Sequence, residues 1–185
     1  MTRNRLIAIG ALAAAGLVAG LLAFFLTRDS NPSVAHVNSQ AIKRDQLDTA
    51  VEHFRVQYKE EGQPFPDEKS PNFRALQNRL VGLLVYRAEI DQAARRLGIA
   101  ISDIQVLRKL NENSEGEEHA TDPFAYDTVK SELQYERIYA HVTQGVTAQT
   151  TAGLSARRNA AMSRFVAKLK RETKVRYEPG YSPGP

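Results

Sequence analysis

The sequence contains no cysteine among its 185 residues. Without thiols the chain can form neither disulfide bonds nor the lipid-bearing thiol of a lipoprotein. It also carries no G-x-S-x-G, phosphate-loop or dinucleotide-binding motif, so the common nucleophile and nucleotide sites are not indicated. The fold therefore depends on packing alone, and we expect no bound cofactor.

Histidines are few and widely spaced. They are His36, His53, His119 and His141. No two of them are four residues apart, as two zinc ligands on one helix face would be. The acidic stretch Glu115–Glu118 lacks the alternating oxygen ligands of an EF-hand loop. We expect packing or surface roles for the histidines, a solvated acidic loop, and no metal.

Charge is missing from the stretch Leu6–Leu26, which has 21 uncharged residues. At about 1.5 Å per residue a helix of this length crosses a hydrocarbon core of about 30 Å. We predict a transmembrane signal-anchor within residues 1–28, longer than the apolar part of a cleaved signal peptide. Arg3 and Arg5 precede it, which favours a cytoplasmic N-terminus and an extracytoplasmic body on a single-pass protein of the cell membrane.

The anchor contains Gly16 and Gly20 in a G-x-x-x-G pattern. Such a pattern lets two helix backbones approach closely, which makes a homodimer possible. Small residues are also common in membrane anchors, so incidental composition is the alternative.

The excess of basic residues comes from the flanks of the anchor. Without Arg3, Arg5 and Arg28 the 25 Lys and Arg residues fall to 22, against 21 Asp and Glu. The remaining chain is therefore nearly neutral, and we expect no binding to nucleic acid.

Beyond the anchor the sequence begins with a predicted strand, turn and strand from Val34 to Ile42, with the turn at Asn38-Ser39. A first helix is predicted from about Arg44 to Lys59. Ser70 and Pro71 predict the start of a second, longer helix that Gly98 ends.

A short third helix follows Ser102, and its spacing predicts Ile104, Leu107 and Leu110 on the inner face. Asp122-Pro123 predicts the start of a fourth helix that ends near Val142. This helix is apolar on two opposite sides, so it needs two partners, or else one side stays partly open.

The composition of residues 143–153 predicts a polar linker. Residues 154–185 are predicted to form a helix followed by a short strand. This last part has eight basic and two acidic residues, whereas residues 29–153 have 14 basic and 19 acidic ones. Opposite charge favours docking of the C-terminal part on the helical body of residues 29–142. An interfacial helix beside anionic lipids, or a solvated face, would carry the same charges.

The first strands and helix resemble the N-terminal domain of the SurA/PrsA/PpiD-type extracytoplasmic chaperones. The matching residues there are Val34, Ala35, Val37, Asn38, Ile42, Gln46 and Leu47. The resemblance continues through Leu84–Glu89 and Ala93–Ile99, and the C-terminal helix is similar to the family's closing helix. It implies a mostly α fold, in which a transmembrane helix precedes a helical domain with a small β element that the C-terminal helix completes.

In family members that are prolyl isomerases, a parvulin-type domain lies between these two parts. The eleven residues 143–153 cannot hold a domain, since even a minimal independent fold needs about 40 residues. The resemblance therefore implies a membrane-anchored chaperone without isomerase activity that holds unfolded or exported polypeptides. We expect exposed aromatic residues to contact these clients. The candidates are Tyr58, Tyr86, Tyr135 and Tyr139. The alternatives are a dedicated assembly partner of one envelope protein, and a prolyl isomerase.

Overall fold

The computed structural model describes residues 31–113 and 122–182. The predicted anchor Leu6–Leu26, its two glycines and the acidic residues Glu115–Glu118 lie outside the described residues, so the membrane and dimer hypotheses stay predictions. Within the described ranges no helix has the length and apolar character needed to cross a bilayer. Ser33–Pro185 forms one compact unit.

The unit consists mainly of helices with a small sheet, which confirms the mostly α fold class. In chain order its elements are β1 (Ser33–Val37), β2 (Gln40–Lys43), α1 (Arg44–Glu60), α2 (Pro71–Arg96), α3 (Asp103–Asn113), α4 (Pro123–Val142), α5 (Thr151–Glu172) and β3 (Val175–Tyr177). Helix α5 starts three residues earlier than the sequence indicates, so residues 143–150 connect it to α4.

The predicted turn joins β1 and β2 in an antiparallel hairpin, with Val37 opposite Gln40. Asn38 has a φ of 55°, in the left-handed region that asparagine tolerates better than most residues. This explains why asparagine at the first turn position makes the tight reversal possible.

The C-terminal strand β3 adds to the other edge of β1, so the strand order is β2-β1-β3. Val175 lies opposite Val37, and the backbone N–H of Asn38 donates to the carbonyl of Lys174 at 2.8 Å. Farther on, Arg44 Nη1 donates to the Tyr181 hydroxyl at 2.5 Å. The C-terminal residues of the body are thus hydrogen-bonded to its N-terminal residues.

The helices begin at the predicted capping residues. The Phe73 N–H donates to Ser70 Oγ at 3.1 Å, and the Phe124 N–H donates to Asp122 Oδ1 at 2.8 Å. Lys43 precedes α1 and has no acceptor in its side chain, so Gln46 Oε1 instead accepts from the Lys43 N–H at 2.9 Å.

Helix α4 lies at the centre of the unit and contacts all four other helices. Near its start, Phe124 belongs to the larger core, which β1, β2, α1 and α2 build. Near its end, Ile138 is fully buried in a second core between α2 and α5. In the middle, Val129 packs on α3. One apolar side of this helix, with Phe124 and Ile138, therefore contributes to two cores, and the opposite side, with Val129, contributes to a third.

Helix α3 faces the core differently from the prediction. Val106 and Leu110 are buried against α4, whereas Ile104 is 70% exposed and Leu107 is 41% exposed. The inward prediction was wrong for Ile104 and Leu107, because α3 packs mainly on α4 and one narrow stripe is enough for that contact. The physical consequence is an apolar outer face on this short helix.

The N-cap of α4 leads to a prediction about pH. Burial by itself would raise the pKa of Asp122, but hydrogen bonds with the His53 ring and the Phe124 N–H outweigh it and lower the pKa below its ordinary value. A lowered pKa stabilises the fold above the unfolded-state pKa of about 3.9, and this contribution disappears as the pH falls through the folded-state pKa.

Asp122→Ala is therefore expected to cost about 1 to 2 kcal/mol at pH 7, from the lost cap and the lost His53 contact. The difference from the unmodified protein should shrink below about pH 4, as measured by urea unfolding across the pH range. Asp48→Ala, which removes an exposed i,i+4 pair with Arg44, is the control with an expected cost of a few tenths of a kcal/mol. An Asp122 effect of the same size at pH 3 and pH 7 would contradict the linkage.

Candidate binding groove

The candidate site lies where α2 packs on α4, around a buried arginine. Arg87 interrupts the apolar stripe of α2 and is nevertheless only 8% exposed. Its Cζ lies 4.0 Å from the centroid of the Phe124 ring, and its Nη2 donates to Thr128 Oγ1. The guanidinium is thus held by one aromatic face and one hydroxyl of α4.

Burial lowers the pKa of Arg87, although the nearby carboxylates of Asp127, Asp122 and Glu132 act in the opposite direction. A guanidinium keeps its proton even so, because its ordinary pKa is far above neutral. Arg87 therefore adds a fixed positive charge beneath the helix surface, and its role is to join α2 to α4.

Beside Arg87 an open groove of about 480 Å³ runs between α2 and α4. Its eight lining residues are Leu83, Tyr86, Arg87, Thr128, Ser131, Glu132, Tyr135 and Glu136. They follow helical spacing on both sides, at positions 83, 86 and 87 of α2 and at positions 128, 131, 132, 135 and 136 of α4. The two facing helix surfaces thus form a single elongated depression.

Two tyrosines stand at the groove with much of their surface open to solvent. Tyr86 is 45% exposed and Tyr135 is 37% exposed. The pKa of Tyr86 is raised, first by its partial burial and then by Tyr135 and Glu89 nearby. The two rings therefore line one groove, and both remain accessible to a ligand.

The other two tyrosine candidates lie elsewhere. The Tyr58 ring packs edge-on against Phe65, with 5.5 Å between centroids, near the end of α1. Tyr139 is partly buried against the second core, and its hydroxyl donates to Asn159 Oδ1 at 3.2 Å. The structure thus brings together two of the four residues that the sequence proposes, Tyr86 and Tyr135.

Sequence reasoning did not single out the other lining residues. Glu132 and Glu136 are exposed and polar, so each by itself resembles an ordinary surface residue. The signal that could have found them is the position of Glu132, three residues before Tyr135 and four before Glu136, which places it beside each of them on α4. Arg87 is recognisable in the sequence as the position that breaks the apolar stripe of the second helix, but that pattern does not make it a site residue.

The groove offers a contact surface of mixed chemical character. Its lining combines apolar and aromatic surface with hydroxyls and carboxylates, and the Ser131 hydroxyl donates to the Asp127 carbonyl. Across the described ranges, no three histidine or acidic side chains are grouped as a metal site requires. An open, partly aromatic groove on a helical body is a surface that can accept a ligand.

The family of the chain is shown by a comparison with family models. A family model described as the SurA-like N-terminal domain matches residues 2–156, most of the chain. The chain therefore belongs to the SurA-like N-terminal domain family, a chaperone-like family, as the resemblance predicted. The match ends in the first turns of α5, before the strand that closes the sheet. No curated protein matches the chain.

Proposed function

We propose that the protein is a membrane-anchored chaperone that holds unfolded or exported polypeptides on the extracytoplasmic side of the membrane. The stretch Leu6–Leu26 would anchor it, and the helical body would bind the clients. Family membership supports the chaperone-like role, and the open groove with its two exposed tyrosines is the observation that carries the holding function.

The physical reason is the character of the groove surface. Unfolded chains expose apolar and aromatic side chains, and burying these against another apolar surface is favourable without any fixed orientation. Tyrosine gives a large contact area with few rotatable bonds, so a groove with two tyrosines can accept many sequences. Binding of this kind is weak, broad and reversible, as a holding chaperone requires.

We further propose that the protein has no prolyl isomerase activity. Only residues 143–150 connect α4 to α5, too few for the intervening catalytic domain of isomerase-bearing relatives. A peptide isomerisation assay tests this directly, with no acceleration above the uncatalysed rate as the expected result. Acceleration that scales with protein concentration would overturn this part of the proposal.

The holding function is tested by aggregation of a chemically unfolded model protein. The full-length protein at a near-stoichiometric ratio is expected to suppress light scattering, and Tyr86→Ala combined with Tyr135→Ala should reduce the suppression several-fold, because both exposed rings of the groove are lost. Ile104→Ala combined with Leu107→Ala is the matched control, since it removes two exposed apolar side chains that lie outside the groove.

The two double variants distinguish the possible outcomes once circular dichroism has shown that both are folded. If both reduce suppression equally, the groove has no special role. If the unmodified protein is folded but does not suppress aggregation, the holding function is wrong, and a dedicated assembly partner of one envelope protein becomes the better hypothesis. Co-purification then tests that alternative, because a dedicated partner gives one stoichiometric band.

A further inference from the structure

The exposed charges of the groove have one sign. Among its eight lining residues, the charged ones are Arg87, Glu132 and Glu136. Arg87 is buried and its guanidinium contacts Phe124 and Thr128, whereas both glutamates are exposed. A ligand in the groove therefore meets an acidic rim, formed by the carboxylates of Glu132 and Glu136. It has little access to the buried positive charge of Arg87.

The positions of the carboxylates relative to the tyrosines matter as well. Glu132 and Glu136 lie about one turn of α4 apart, about 6 Å along the helix axis. Tyr135 lies between them in sequence, and Tyr86 faces it across the groove. A cation that reaches a carboxylate here can at the same time contact an exposed ring face, which adds a cation–π attraction.

We infer that the groove prefers polypeptide segments in which an apolar or aromatic side chain stands next to lysine or arginine. The apolar side chain would lie between Tyr86 and Tyr135, and the neighbouring cation would pair with Glu132 or Glu136. This inference rests on the proposed chaperone function, and it names the chemical class of client.

The net charge of the protein determines how much non-specific attraction could contribute to peptide binding. The excess of basic residues flanks the anchor, and residues 29–185 carry 22 basic against 21 acidic residues, so their net charge attracts peptides of neither sign strongly at long range. The local charge of the groove favours basic ones. A measured preference for basic peptides would therefore arise from the carboxylates of the groove and not from the net charge of the protein.

The test uses three fluorescein-labelled peptides with the same central Phe-Tyr pair, flanked by lysines, by glutamates or by serines. Their binding to the full-length protein is measured by fluorescence anisotropy at low ionic strength and in 0.5 M NaCl. The lysine-flanked peptide is expected to bind about fivefold more tightly than the serine-flanked one, because two exposed ion pairs each contribute modestly. This advantage should largely disappear in high salt, where screening acts within about 4 Å.

Glu132→Gln combined with Glu136→Gln removes the rim carboxylates and keeps the side-chain shape. This variant should lose the preference for lysine, so that the lysine-flanked and serine-flanked peptides bind it about equally. The matched control is Glu60→Gln combined with Glu61→Gln, which makes the same change in net charge at two exposed positions outside the groove. The control is expected to keep the preference, and circular dichroism checks the fold of both variants.

Each outcome has a separate meaning. If the serine-flanked peptide binds but flanking charge has no effect, or if the control loses the preference equally, the inference is overturned while the chaperone function stands. If no peptide binds the folded protein, both fail. If sedimentation shows that a second copy of the chain covers the groove and peptides do not displace it, the groove is a dimer interface and the inference also fails.

Discussion

Arg87→Ala is expected to lower the free energy of unfolding by about 3 kcal/mol. The variant removes the long side chain that fills the seam between α2 and α4, together with the contact to the Phe124 ring and the hydrogen bond to Thr128. It also deprives Asp127, whose pKa burial already raises, of one nearby positive charge and leaves that of Lys130. Urea unfolding followed by circular dichroism measures the loss.

Arg87→Met separates packing from charge. Methionine fills much of the same volume and its sulfur packs well against an aromatic ring, so we expect a cost of about 1 kcal/mol. Arg79→Ala, an exposed arginine on the same helix, is the control and should stay within about 0.5 kcal/mol of the unmodified protein. If the alanine and methionine variants lose the same free energy of unfolding, the charge of Arg87, and not its packing, stabilises the contact between α2 and α4.

The parts of the fold that local chemistry determines could be predicted from the sequence. The hairpin follows from asparagine at a turn position that needs a positive φ, and the starts of α2 and α4 follow from Ser70-Pro71 and Asp122-Pro123. Gly98, with a φ of 70°, ends α2, and the Ile99 N–H closes the cap on the Ala94 carbonyl. In each case neighbouring residues decide the structure.

Features that depend on distant packing could not be predicted in this way. The spacing of α3 allows two apolar stripes, and only the position of α4 selects the one with Val106. The burial of Arg87 depends on Phe124 and Thr128, which lie about 40 residues farther along the chain. A charged residue in an apolar stripe indicates a special contact without naming its partner.

The same limit applies to the groove. Sequence reasoning found its two tyrosines, because exposed aromatic residues on helices are recognisable from their spacing. It could not separate Tyr86 and Tyr135 from Tyr58, because what separates them is a ring contact with Phe65 made across a proline-containing loop. The acidic rim was missed because Glu132 and Glu136 line a groove only when α2 packs opposite them, and the sequence does not show that packing.

Removal of residues 173–185 is expected to have the largest effect on stability. The truncation deletes β3, so β1 loses a pairing partner along Ala35, His36 and Val37. It also deletes three partly buried side chains that pack on the larger core. They are Val175, Tyr177 and Tyr181.

From the apolar area uncovered and the hydrogen bonds lost we expect a decrease of about 4 kcal/mol in the free energy of unfolding. The uncovered edge of β1 should also promote association between chains, which size-exclusion chromatography detects. A chain shortened only after Ser182 keeps β3, Tyr181 and its hydrogen bond with Arg44, and serves as the control. If the longer truncation unfolds at the same urea concentration as this control, β3 does not complete the fold, and the helices with the β1-β2 hairpin carry its stability without the C-terminal strand.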